Sequence, residues 1–355
     1  MILLILLVTG AALLLPNNKA LQTYLGVSAC IIFSCVIGLR SFDSGTDTLA
    51  YVSYFNTIHE DRGYFEPFFY FFTLFFATIS SAITYIFILS AIPIFLVFFT
   101  AMSAEVSRPA LMVCLFLCFV PGIDLITNGV RSGLSLSLGL WIAVLSSRYT
   151  KRRYLLSFFP IFVHYSYIIV LLSDVGSRIL SMRKLTIVNA LGCLLIVFWL
   201  MVDSKEVVTY ITDFYFSNSS GFSYIIDKSL RYLINRQSFL SKAVFMYFAL
   251  LSIFLGLANS YFIRVKKITS SRTSFVLYSL STLTFFCFAL VSFSPFSYRF
   301  MFIAYVFQIF LFGYLMDVLA ESDWAKLAYF FLISVSSVIT YTTATMTKFT
   351  FLNLT

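Results

Sequence analysis

A few polar residues stand out against an otherwise apolar chain. Arg40, Asp43, Asp47 and Glu66 share one polar stretch, Asn128 and Arg131 precede an apolar run, His164 follows Pro160, and Arg299 opens another run. Arginine presents a planar fork of donors that suits phosphate and similar multi-oxygen anions. A carboxylate such as Asp47, Asp43 or Glu66 can accept the proton of an attacking hydroxyl, and so can an imidazole with an unperturbed pKa of ~6.5, such as that of His164. Arg40, Arg131 and Arg299 are therefore candidates for holding an anion, and the three carboxylates and His164 for acid–base work. Each also has a plainer role open to it. A terminal Arg can snorkel to lipid headgroups. Asp47, or Thr46 before it, can cap a helix running through Tyr51 and Tyr54. Glu66 before Pro67 can be a charge partner at a helix start, and a lone His in an apolar run can be a hydrogen-bonded packing residue. No Asp-x-Asp motif is present, and the six Cys all lie inside apolar runs. Cys114 and Cys118 are four apart with no further Cys or His nearby, which reads as packing. Neither a metal site, a disulfide framework nor a cofactor is expected.

The elements that must carry these residues follow from composition. The 355 residues are 60% hydrophobic and 11% charged, with a mean hydropathy of +0.95. Soluble domains average about 45–50% apolar and about 25% charged. Forty-three Phe and 22 Tyr leave too few polar residues to cover a wetted surface. Soluble, disordered, coiled-coil and collagen-like classes are excluded. The net charge of +9 does not point to nucleic acid. Its basic residues sit in short clusters between apolar runs (Lys151-Arg152-Arg153, Arg183-Lys184, Arg264 to Lys267), as cytoplasmic loops require. The expected fold is an all-α integral membrane protein, a polytopic helical bundle of about 11–12 spans forming one domain over 1–355. Spans are expected at 2–15, 21–39, 84–102, 110–126, 132–147, 154–172, 185–202, 243–262, 273–293, 300–316 and 327–345. The run from Met1 to Leu15 lacks a basic start and a cleavage site, so it reads as a retained first span.

Sidedness follows from the basic loops. Arg148 to Arg153 and Arg264 to Arg272 belong in the cytoplasm, which puts Arg131 on the far side and Glu105 to Arg108 back in the cytoplasm. Two stretches then break the parity. Phe68 to Ile79 is read as a short interfacial or re-entrant helix, which keeps loop 40–66 outside. The 154–184 stretch is read as a helix broken at Pro160–His164 that returns through 165–180, which keeps loop 203–242 outside. The polar candidates then collect on the outer face, joined by Asp213, Asp227, Arg231 and Arg236 of the second loop.

The run Arg40-x6-Asp47-x3-Tyr51-x2-Tyr54-Phe55, with Thr46 before Asp47, followed by Glu66-Pro67, resembles the Wzy-type polysaccharide polymerases, in particular the EpsG-like family of bacterial surface-polysaccharide and O-antigen enzymes. Three further blocks are similar to the family's in the same order: Asn128-Gly-Val-Arg131-Ser-Gly-Leu-Ser135, Phe162-Val-His164-Tyr-Ser166, and Tyr298-Arg299-Phe300. Ser132 and Ser135 stand where the family usually has Gln and Ala, and Val163 is inserted before His164. The resemblance implies a GT-C-like glycosyltransferase of the bacterial inner membrane, multi-pass, facing the periplasm. It would transfer a growing glycan from its polyprenyl pyrophosphate to a new lipid-linked repeat unit, as in O-antigen, capsular or exopolysaccharide synthesis. The implied partners are the lipid-linked donor and acceptor, membrane lipids and a chain-length regulator protein, with no nucleic acid. It further implies that Arg40, Arg131 and Arg299, with Asn128 and Tyr298, bind the pyrophosphate, and that Asp47, Asp43, Glu66 or His164 is the base. The main rival is a lipid-linked oligosaccharide flippase. Transporters place ionisable residues at the bilayer midplane, whereas here they gather at span ends and in outer loops. A sugar-decorating acyltransferase is a second rival that leaves the Arg, Thr-Asp and Glu-Pro series unexplained.

Overall fold

Apolar stretches of this length satisfy their backbone hydrogen bonds internally only as helices. The computed structural model describes residues 1–42, 47–60, 66–148, 153–177, 179–201, 242–265, 272–290, 297–319 and 322–343. Among these the regular elements are α1 (Ile2–Leu14), α2 (Lys19–Gly38), α3 (Thr48–Thr57), α4 (Pro67–Ile79), α5 (Ala82–Ser103), α6 (Pro109–Leu117), α7 (Val120–Thr127), α8 (Val130–Arg148) and α9 (Arg153–Val163). They continue as a 3₁₀ turn (Tyr165–Tyr167), α10 (Ile168–Ser177), α11 (Met182–Met201), α12 (Lys242–Val265), α13 (Arg272–Leu290), α14 (Ser297–Leu319) and α15 (Asp323–Thr343). Several starts are set by local chemistry. Asn18 caps α2 by accepting from the N–H groups of Ala20 and Leu21, and Ser81 caps α5 through Thr84. Pro67 and Pro109 begin α4 and α6, where a missing N–H costs nothing.

Seven described helices are long and apolar enough to cross a membrane: α2, α5, α8, α11, α13, α14 and α15. The chain is a multi-pass, all-α membrane protein. The remaining expected spans are present as shorter or interrupted helices: α1, the α9–α10 region and Ala249–Arg264 of α12. The expected single span 110–126 is two helices, α6 and α7, bent by 85° at the break. Phe119 takes an extended backbone at the break. Pro121 falls just past it, in the first turn of α7, where its missing N–H and fixed φ cost nothing. α4 is 13 residues long, about 20 Å.

The main core joins α1, α2, α5, α6, α8, α13 and α14 through residues such as Phe33, Phe98, Leu115, Phe307 and Leu311. A smaller cluster holds α3 and α4 against α5 and the start of α8. Tyr51, Tyr54 and Phe55 of α3 and Ile58 just after it are among its members, and their spacing of three and four residues makes one helical stripe.

Side-chain contacts show how the helices run. Ser147 near the end of α8 bonds Thr273 at the start of α13 (2.9 Å), and Trp141 of α8 donates to Ser103 at the end of α5 (3.3 Å). Asp317 near the end of α14 accepts from the Ser107 N–H and pairs with Arg108. These contacts put the flanks of 148–153 and 264–272 and the 104–108 turn at one end of the bundle. Arg131, at the start of α8, and the start of α14 therefore lie at the other. Ser260 of α12 and Thr186 of α11 both bond Tyr278 near the start of α13. Met201 and Lys242, which flank 202–241, thus also face the Arg131 end.

Candidate functional site

Arg131 is the second residue of α8, so its position depends on how α7 hands over to α8. The N–H groups of Asn128 and Gly129 both return to the Asp124 carbonyl (2.8 Å each), which ends α7. Gly133 lets α8 lie against α7, since a Cβ there would run into the Leu125 carbonyl oxygen. Arg131 thereby projects from the positive end of a helix dipole. One guanidinium nitrogen bonds Glu66 Oε2 at 2.7 Å, and the group also lies over the Phe69 ring, 5.8 Å from its centroid. Its side chain keeps 26% of its surface exposed.

Glu66 sits at the N-cap position of α4, yet its side chain makes no capping bond. Its other oxygen, Oε1, is 2.5 Å from His164 Nδ1. Arg131 and His164, 65 and 98 residues from Glu66 in sequence, meet on its carboxylate. Burial by itself raises the Glu66 pKa, but the His164 hydrogen bond and the Arg131 charge outweigh it and hold the carboxyl at about 2. The carboxylate is ionised and only 3% exposed. His164 owes its direction to a helix end. Its φ of −158° and ψ of 127° are extended backbone, and the helical turn behind it closes on Pro160, whose carbonyl accepts from the His164 N–H (3.0 Å) and from Ser135 Oγ (2.7 Å). The break expected at Pro160–His164 therefore falls at His164, and Pro160 stays inside α9. From His164 the chain is back beside Tyr278, near the opposite end, by Thr186.

Arg40 is turned inward, beneath Arg131 and Glu66. It is 1% exposed. Its guanidinium donates to the Ile37 carbonyl (2.9 Å), Ser90 Oγ (2.8 Å), Thr48 Oγ1 (3.2 Å) and the Thr127 carbonyl (3.1 Å). Burial lowers its pKa to about 10, partly offset by Tyr51, so it stays charged. It ties the end of α2 to α3, α5 and the α7–α8 junction. Asn128 is also inward, 4% exposed, with its amide donating to Asp124 Oδ1 (2.5 Å). The Asn128 carbonyl accepts from the Tyr51 hydroxyl (3.2 Å). Burial raises the Tyr51 pKa against the opposing charge of Arg131.

Asp47 occupies the N-cap position of α3, but no side-chain capping bond forms, and it is exposed. The capping role open to it in the sequence is not taken up. Asp43 and Thr46 lie outside the described residues, as do Asp213, Asp227, Arg231 and Arg236. Tyr298 and Arg299 are in the first turn of α14, at the Arg131 end, but their side chains lie outside the described residues. The described structure thus brings together Glu66, Arg131 and His164, with Arg40 and Asn128 one layer beneath. Ser90, Thr48, Phe69 and Asp124 were missed by sequence reasoning. The i,i+4 pair Asp124–Asn128 was the one available signal; the Thr127 carbonyl that anchors Arg40 leaves none.

Among the described residues no group of three or more His, Cys, Asp or Glu could hold a metal ion. No curated protein and no solved structure matches the chain. The model of the EpsG family matches residues 23–355, nearly the whole length, and supports a role of the polysaccharide-polymerase type. On that match, which takes in every block from Arg40 to Arg299, the chain belongs to the EpsG family.

Proposed function

We propose that this protein polymerises polyprenyl-pyrophosphate-linked oligosaccharide repeat units at the outer, periplasmic side of the bacterial inner membrane, as a glycosyltransferase of GT-C-like architecture. The observation that carries the reading is the Glu66 junction. A buried carboxylate gathers a partly exposed guanidinium and an imidazole from three distant segments, at the end of the bundle away from the basic loops. Arg131 and the first turn of α14, which carries Arg299, add positive charge and helix N-termini at that end, which favour a dianionic leaving group. Charge that develops on a departing pyrophosphate is stabilised best by donors already in place. Asp47 at the exposed start of α3 is a candidate for contact with the acceptor sugar. A chain-length regulator is a further partner of such an enzyme.

Cells carrying Arg131→Ala, Arg299→Ala or Asp47→Ala are expected to accumulate single repeat units on the lipid carrier with the protein still inserted. The readout is gel analysis of lipid-linked glycans beside a membrane blot. Long glycans in all three variants at wild-type protein levels reject the reading.

A further inference from the structure

We infer, on the polymerase reading above, that His164 is the proton acceptor of the transfer and that Glu66 is a positioning residue selecting the imidazole tautomer. Glu66 Oε1 lies 2.5 Å from His164 Nδ1. An ionised carboxylate only accepts, so Nδ1 must carry the hydrogen and the lone pair of the neutral ring is on Nε2. Among the described residues no group hydrogen-bonds Nε2, and the side chain is 14% exposed. The His164 backbone is anchored to Pro160, which Ser135 holds in turn, so the side chain leaves from a fixed point.

Glu66 itself is poorly placed to be the base. Both of its oxygens are bonded, one to Arg131 and one to His164, and it is 3% exposed. A group held as an anion by two partners gives up little by staying unprotonated. Of the elements packed on α9 and the 3₁₀ turn, α4 brings Glu66 to the ring and α8 brings Arg131 to the far side of that carboxylate; α10 carries Asp174, buried further along the chain. In the transfer, the acceptor sugar's hydroxyl oxygen bonds to the anomeric carbon of the donor glycan. The bond from that carbon to the pyrophosphate oxygen breaks, and its electron pair leaves with the lipid pyrophosphate. The hydroxyl proton passes to Nε2, and the resulting imidazolium is stabilised by Glu66 until it releases the proton to water.

The test uses the purified full-length chain in liposomes, supplied with a synthetic lipid-linked repeat unit, with elongation rate followed over about pH 5–9. The wild type should show a rate that rises with pH through one ionisation. His164→Gln should lose that limb and fall by about a hundredfold or more. Glu66→Gln should keep the limb and lower the rate, because the ring no longer presents its free nitrogen in a single tautomer. A second measurement needs no activity. The chain has two His, so ¹⁵N-histidine NMR in a His59→Gln background reports His164 alone. The neutral ring should show a protonated Nδ1 and a bare Nε2, and Glu66→Gln should weaken that preference. Should His164→Gln misfold, the tautomer measurement still decides. A bare Nδ1, or a His164→Gln variant with the wild-type rate and limb, overturns the assignment. A wild type that elongates nothing while showing the expected tautomer sinks the polymerase reading, leaving the Glu66–His164 geometry standing.

Discussion

Arg40 and Arg131 look alike in sequence, each a lone cation near the end of an apolar run, and the fold gives them opposite surroundings. Arg131 keeps a quarter of its side chain exposed and bonds a carboxylate, whereas Arg40 has four uncharged acceptors among the described residues and almost no exposure. A residue that satisfies two backbone carbonyls and two hydroxyls at once cannot be removed without stranding them. Arg40→Met is therefore expected to lower stability by at least ~2 kcal/mol, read as thermal unfolding in detergent without substrate. Arg40→Lys should also destabilise, since a compact ammonium lacks the planar fork that reaches several acceptors together. Were Arg40 only a phosphate ligand, both variants would unfold like the wild type and lose activity alone. At this scale the chemistry was legible in residue type, but not the division between a buried buttress and a partly exposed cation, because that depends on which neighbours crowd the side chain.

Two helix breaks build the site, and the sequence announced them unequally. A break at Pro160–His164 was expected, because the basic clusters on either side require the 154–184 stretch to turn back. The α6–α7 bend passed as a continuous span, although Pro121-Gly122 was in view. The bend matters because it presents the Thr127 and Asn128 carbonyls to Arg40 and Tyr51. Gly133 then lets α8 pack onto α7. Gly133→Ala should cost about 1–3 kcal/mol through overpacking against the Leu125 carbonyl, measured by thermal unfolding. Gly129→Ala, four residues earlier, is the control: its nearest neighbours leave ordinary contact distances, so it should be tolerated. Equal effects at both positions would show that helix propensity, not close approach, governs this junction.

Across the whole molecule, the contacts of Ser147 with Thr273 and of Ser107 with Asp317 set one end of the bundle, and the Glu66 junction lies at the other. In a background with the six Cys replaced, Ser219→Cys should react with an impermeant maleimide from outside intact cells. Ser270→Cys should react only after permeabilisation. Labelling of both from the same side would contradict the opposed ends.

Composition alone determined that this chain is a helical membrane protein, because 60% apolar residues in long runs have no other way to satisfy their backbones. Basic clusters separated the loops into two sets, and four short blocks named the residues able to do chemistry. Which of them meet was decided by tertiary structure only. The Glu66 contacts span 65 and 98 residues, and periodicity within a helix carries no information over such separations. Whether a carboxylate is a free base or an anion locked between a guanidinium and an imidazole depends on atoms within about 3 Å, and packing alone sets those distances.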